Sequence, residues 1–326
     1  MLTAKQNLQE TIKGGKPDRF VNQNEFLEFV FEAPMTSFCT GPGTEIEDEW
    51  GILWRWPEGQ LGPFPVHDEE HKVIKDITEW KQYVKTPDHY KNPEAWIEAK
   101  EHVKQIDQNE KYITIMFFPG IFEMTHSLMG MEDALMALYE EPEAMHELID
   151  WYTDYLLDYA KVLIEQIGPT AIYQHDDWGS QISTFMSPET FKEFFLPSYK
   201  KIFSFYKENG VELILHHSDS YAATLVPSMI EMGIDIWQGV MTTNNIPALI
   251  KEYGGKISFM GGIHSGEVDF PEWNEAIIKE HVDRICKKCG QLYFIPNLTQ
   301  GADVSSFPGV YEAVTAEIDR ISKEMF

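Results

Sequence analysis

The chain has 326 residues, 43% of them hydrophobic and 13% aromatic, which is enough to bury a sizeable core and excludes disorder. Its 53 acidic residues against 26 basic ones give a net charge of −27, a surface that repels phosphate backbones and anionic membranes, so neither nucleic acid nor a membrane is expected as a partner. The N-terminal stretch lacks a hydrophobic signal core, no apolar run approaches the ~18 residues of a transmembrane helix, and three cysteines are too few for a disulfide framework; a cytoplasmic protein is the expectation.

Residues 1–110 are irregular. They are expected to supply one or two strands around Phe20–Asn22 and a lid segment rich in Trp, Pro and Gly, Trp50–Pro65. Beyond them short apolar runs alternate with long amphipathic helices. Strands are expected at Tyr112–Phe118, Ala171–His175, Val211–His217, Ile234–Val240, Ile257–Gly262 and Leu292–Asn297, each rich in Ile, Val, Phe or Tyr. Ser187-Pro188-Glu189 supplies an N-cap and an N1 proline before a helix over Thr190–Asn209. Asp219 or Ser220 opens another, ending near Met232 before Gly233. Glu143–Ile167 and Trp273–Lys288 carry apolar residues at helical spacing.

Strands separated by crossover helices must be parallel, with both faces covered. No Gly-x-Gly-x-x-Gly follows any strand, and polar residues gather at the C-terminal strand ends. The fold class that follows is α/β: a single-domain (β/α)8 TIM barrel over residues 1–326, with an N-terminal helical and loop extension over the barrel mouth.

The polar strand ends carry the candidate chemistry. His217 and Asp219 stand two apart, so in extended backbone they point the same way and could grip one ion. The alternative is an Asp219 that only caps the next helix. His175-Asp176-Asp177-Trp178-Gly179 puts two adjacent carboxylates on a mouth loop, as acid, base or metal ligand, or as a helix cap with a solvated neighbour. His264 follows two glycines that allow close approach of a ligand or simply make a turn. Glu123 and His126 lie three apart and share a helix face, as site residues or as a solvated pair. Cys286-Lys287-Lys288-Cys289 falls on a helix tail at the opposite end of the barrel, with no second pair to complete a four-cysteine zinc site. The acidic run Glu45–Gly51 reads as a solvated loop, or as one that turns a single member into the pocket, and Phe194, Phe195, Phe203 and Phe205 as core packing.

In the order of its elements the sequence resembles the uroporphyrinogen decarboxylase superfamily, which also contains zinc-dependent methyltransferases serving corrinoid proteins. The resemblance runs from the opening helix and Lys16-Pro17-Asp18-Arg19 through Asp48-Glu49-Trp50-Gly51. It is clearest from Ala171–Gly179 through Gly233–Gln238 and Glu252–Ile263 to Asn297–Ala302. It implies a (β/α)8 barrel. The decarboxylases' Met-Arg-Gln-Ala-Gly-Arg segment, whose arginines hold substrate carboxylates, corresponds here to Val21–Phe26, which has none. By the same resemblance the catalytic aspartate falls on Asp48, the pocket tyrosine near His126, the serine near Asp177 and the late histidine on Gln300. An octa-acidic porphyrinogen without arginine clamps is electrostatically implausible. The methyltransferases' His-x-Cys falls on His217-Ser218-Asp219, and their later cysteine, near Asn297–Gly301, has no counterpart. An N/O site with harder ligands suits an oxygen-bearing substrate better than a thiol.

The expectation is therefore a methyltransferase moving a methyl group from a small methylated substrate, an ether or amine, to a corrinoid protein. Zinc or another divalent ion is expected on His217, with Asp219, His264 and Glu123 to complete it. Asp177, Asp176, His126 and Asp48 are the catalytic candidates. His175, Trp178, Asn22, Gln238 and Gln300 are the candidates for contact with substrate. A decarboxylase or lyase of a smaller carboxylic acid and a silent corrinoid- or metabolite-binding protein stay open, as does the oligomeric state, a homodimer included.

Overall fold

The apolar runs form strands because each is bounded by turn residues and followed by a helix long enough to carry the chain back across the barrel. In the computed structural model, which describes residues 1–60, 62–301 and 305–326, β1 (Leu27–Phe29) precedes a small antiparallel sheet of β2 (Glu45–Glu47), β3 (Leu53–Arg55) and β4 (Phe64–Pro65). β5 (Tyr112–Phe117), β6 (Ala171–His175), β7 (Leu213–His217), β8 (Ile236–Val240), β9 (Ser258–Ile263) and β10 (Phe294–Leu298) then alternate with helices. These six and β1 form one parallel sheet in the order β1-β5-β6-β7-β8-β9-β10. Leu61 of the expected lid and Ala302 lie outside the described residues.

The fold is the α/β barrel expected, with seven strands in its parallel sheet among the described residues rather than eight. Phe20–Asn22, expected as a strand, forms no ladder. Gln23 adopts a left-handed φ of 51° that interrupts extended chain, and its N–H donates to the Pro296 carbonyl on β10 at 3.3 Å. Leu27 then pairs with Tyr112 on β5, so this one segment bridges the two edges of the sheet.

Alternate strand residues fill the barrel. Phe29, Tyr112, Tyr173, Leu213, Leu215, Ile236, Met260 and Ile295 pack in one buried cluster. The opening helix, Ala4–Ile12, stoppers its lower end: Leu8 is fully buried in that cluster, Gln9 donates to the Tyr112 hydroxyl at 2.7 Å, and the Thr11 carbonyl accepts from Tyr293 N–H. The helical part of the extension thus closes the end away from the strand C-termini. The loop part stands at the mouth, where Phe38 and Trp54 pack on Phe118, the residue after β5.

Prolines cut two helices shorter than expected. Ser187 caps its helix as predicted, its hydroxyl accepting from Thr190 N–H, but the run divides into Pro188–Phe194 and Leu196–Glu208. Pro197 has no N–H to continue the ladder. Pro227 likewise delays the helix after β7 to Val226–Met232. Asp219 therefore caps nothing; the N–H groups of Ala222 and Ala223 go to Asn244 instead.

Candidate active site

β6 and β7 lie side by side with His175 opposite His217. Because side chains repeat every second residue, Asp177 and Asp219 continue the same two columns into the mouth. The two imidazoles stack with centroids 4.4 Å apart. One ligand atom each from His175, Asp177 and His217 lies within 4.8 Å of the others.

Both rings are held from behind. His175 Nδ1 is 3.0 Å from Oε2 of Glu123, which also accepts from Gly120 N–H at 3.2 Å. His217 Nδ1 meets the side-chain oxygen of Gln238, to which Tyr173 also donates its hydroxyl. Carboxylate and amide oxygens accept, so each Nδ1 donates; neutral His217 keeps Nε2 for a ligand, and His175 offers its Nε2 on giving up a second proton to an incoming cation. Two imidazole nitrogens and a carboxylate, with coordination positions left over, suit a divalent ion of the zinc type. No thiolate is near: Cys39, Cys286 and Cys289 are buried elsewhere, and burial pushes the Cys289 thiol up to about 12.

Charge around the group favours a cation. Burial raises the carboxyls of Asp177 and Asp219 above the usual range, and each is raised further by neighbouring carboxylates. Burial opposes charge on His175, but Glu123, Asp177 and Asp219 outweigh it and push the ring up to about 9. Burial and the positive His175 hold His217 down to about 3, so it stays neutral.

The structure regroups the expected residues. His217 is in the ligand group, joined by Asp177, expected as catalytic, and His175, expected at the substrate. Asp219 stands at the rim, half-buried, its N–H donating to Asp177; it is outside the group, as are Glu123, which lies behind His175, and His264. His264 precedes the short helix Ser265–Val268, near His281, without a side-chain capping bond. Asp176 faces the opposite way from Asp177. Its two oxygens take the N–H groups of Phe122 and Glu123, the Trp178 indole and the Tyr199 hydroxyl. These four hydrogen bonds make it the anchor of the helix Ile121–Met129, an architectural role in place of the catalytic one expected.

Three further expectations change for the same reason. Asp48 spends its carboxylate on Trp50 N–H, Ile52 N–H and the Trp54 indole. Trp178, fully buried, stacks on His216 at 3.8 Å. Asn22 donates to the Thr315 carbonyl and to Asp319 on the last helix. Gln238 is fully buried under His217 and cannot touch substrate. His126 packs edge-on against Phe122 one turn beyond Glu123. Gln300 is half-buried, its N–H on Ser265 Oγ at 3.3 Å. Beside it, a Cβ at Gly301 would stand 2.7 Å from the Tyr173 hydroxyl and 3.0 Å from His217 Nδ1, so no second cysteine ligand fits there.

Sequence reasoning missed the apolar half of the mouth. Phe118 lies edge-on to His175 with centroids 5.0 Å apart, and Phe31, 68% exposed, stacks on Phe29 above the barrel interior. The signal was strand alternation: Phe31 is two beyond Phe29, and Phe118 two beyond Met116. The floor therefore divides into aromatic residues after β1 and β5 and the His175–Asp177–His217 group at the ends of β6 and β7.

Residues 53–320 match the family model described as Uroporphyrinogen decarboxylase (URO-D). The chain belongs to the uroporphyrinogen decarboxylase family. Among solved structures, a methyltransferase from Methanosarcina mazei aligns over 98% of this chain and 99% of its own, with a TM-score of 0.70 at 15% identity, and shares the fold. A GH18 chitinase from Pseudoalteromonas aurantia aligns over 87% of this chain and 90% of its own at 12% identity, but its TM-score of 0.36 carries no argument. No curated protein matches the sequence. Within this uroporphyrinogen decarboxylase family fold, every arginine is committed elsewhere: Arg19 to Asp18 and Glu25, Arg55 to Glu45, Arg284 to Glu267, and Arg320 to Asp283, Glu317 and Glu324. Each is paired with a carboxylate of this chain, which leaves none free to clamp a polycarboxylate.

Proposed function

We propose that the protein is a metal-assisted methyltransferase that moves a methyl group from a small methylated ether or amine to the corrinoid of a partner protein. The observation that carries this reading is the His175–Asp177–His217 group, pre-oriented at the mouth of an arginine-free site. The methyltransferase fold of the Methanosarcina mazei neighbour supports it.

His175, Asp177 and His217 hold the ion, which when bound supplies a Lewis acid that polarises the heteroatom carrying the methyl group. Glu123 fixes the His175 ring and Gln238 that of His217, so the ligand geometry is set before the ion arrives. Phe31 and Phe118 receive the apolar body of the donor and orient its methyl group away from the metal side, toward the open mouth where the partner docks. Transfer between donor and corrinoid asks no nucleophile of this chain, in keeping with the absence of a cysteine at the site.

The test incubates zinc-loaded protein with cob(I)alamin and a panel of methoxylated aromatics and methylated amines, following the methylcobalamin spectrum. Methylcobalamin with at least one donor class, lost in His217→Ala, is the expected result. No product across the panel with folded, zinc-loaded protein, or carbon dioxide release from small acids without corrinoid, would overturn the proposal.

A further inference from the structure

We infer that Gln238 is the positioning residue that makes His217 a ligand: it holds the Nδ1 proton and so leaves the lone pair on Nε2. This rests on the metal-assisted reading above. Gln238 is fully buried on β8, and its amide is read in one direction only. Its nitrogen donates to Asn297 Oδ1 at 2.7 Å and faces the Leu298 carbonyl at 3.4 Å. A main-chain carbonyl cannot donate, so that end of the amide is the NH₂ and the end facing His217 is the oxygen.

An amide oxygen beside an imidazole nitrogen requires a proton on that nitrogen. Tyr173 spends its own hydroxyl proton on the same oxygen, so the shared proton on the His217 side comes from Nδ1. A neutral imidazole has one N–H, which leaves the lone pair on Nε2. Gly301 closes over the pair from above. A side chain there would press on Tyr173 and His217, so the packing leaves little room for a replacement acceptor if the amide is removed. Asn297 Nδ2 is buried without a hydrogen-bond partner among the described residues. Turning the Asn297 amide would offer that donor to a carboxylate at position 238, so glutamate can replace glutamine there and leucine cannot.

The experiment uses the full chain. Long-range ¹H–¹⁵N correlation spectra of the metal-free protein, with His217 assigned through the loss of its signals in His217→Asn, read the tautomer. Titration with zinc alone reads affinity in wild type, Gln238→Leu and Gln238→Glu. The expected result is an Nδ1–H tautomer for His217 in wild type, a 10- to 100-fold loss of zinc affinity in Gln238→Leu, and affinity within a few-fold of wild type in Gln238→Glu. A merely architectural glutamine would lower the thermal midpoint of both variants and leave the affinity of the folded fraction unchanged. An Nε2–H tautomer in wild type, or Gln238→Leu binding zinc as tightly as wild type, overturns the inference. If Gln238→Leu does not fold, the wild-type tautomer and the Gln238→Glu affinity still decide it. A wild type with the Nδ1–H tautomer that takes up no zinc contradicts the metal reading itself, and with it the ligand role assigned to His217.

Discussion

Glu123 Oε2 and His175 Nδ1 lie 3.0 Å apart in a pair whose carboxylate side chain is only 8% exposed. Sequence neighbours build this pair from two directions. Asp176 holds the N-terminal turn of the helix that carries Glu123, and that helix in turn holds the ring of His175, the residue next to Asp176. Removing one member of a buried ion pair leaves the other charge uncompensated, at a cost of about 3–5 kcal/mol. Glu123→Ala is therefore expected to lower the unfolding free energy by about that amount in urea titrations. Glu123→Gln, which keeps an acceptor for His175, should lose less. Equal stability of the alanine variant and wild type would remove the pair from the account.

Asp176→Ala tests the architectural role against a catalytic one. It strands two helix N–H groups, an indole and a hydroxyl in a fully buried position. At about 1–3 kcal/mol for each unsatisfied buried group, partly relieved by local relaxation, the variant should unfold at much lower temperature than wild type. Calorimetry decides. A variant that melts with wild type but is inactive would return Asp176 to the catalytic residues.

Much of this was legible beforehand, and the failures have physical causes. The six strands after residue 110 were readable because buried parallel strands are continuous apolar runs between turn residues. The first was not, since Leu27–Phe29 is three residues long and the closing segment works through Asn and Gln side chains. At the site, His217 and Asp177 were legible as candidates, and the structure brings the two together with His175. Asp176 and Asp177 could not be told apart, because adjacent residues on a strand end face opposite sides and only the packed helix reveals which side is closed. Asp48 and Trp178 hid their roles for a related reason: packed neighbours take the Asp48 carboxylate, and Trp178 is buried with its indole on Asp176.

His126 supplies a pH test away from the ligands. Burial holds its ring down to about 4. Between about 6.5 and 4 the unfolded chain binds a proton that the folded one does not, so stability is full above about 6.5 and falls as pH drops through this window. A shift of this size corresponds to an upper bound of about 3 kcal/mol. His126→Phe, which keeps the contact with Phe122, should flatten the fall in thermal midpoint between pH 7.5 and 5 by part of that amount. An unchanged pH dependence would show that other groups carry it.

Phe31 is exposed and touches Phe29, so its loss should be nearly silent in stability, within about 0.5 kcal/mol. Phe31→Ser is expected to raise KM for aromatic methyl donors by about 10-fold, the order of an aromatic contact of 0.5–1.5 kcal/mol, and to change KM for small methylamines much less. Equal effects on both donor classes would argue against an aromatic half of the mouth.

The central claim is that His175, Asp177 and His217 together hold one divalent ion, and equilibrium zinc binding tests it most directly. Isothermal titration of the purified full chain with zinc, checked by elemental analysis after dialysis, is expected to give one tight site per chain in wild type, with Glu123→Gln weakened about 10- to 100-fold. In His175→Ala, Asp177→Ala and His217→Ala the tight site should disappear while the proteins remain folded. No stoichiometric binding by wild type, or binding that survives all three alanine substitutions, would contradict the account.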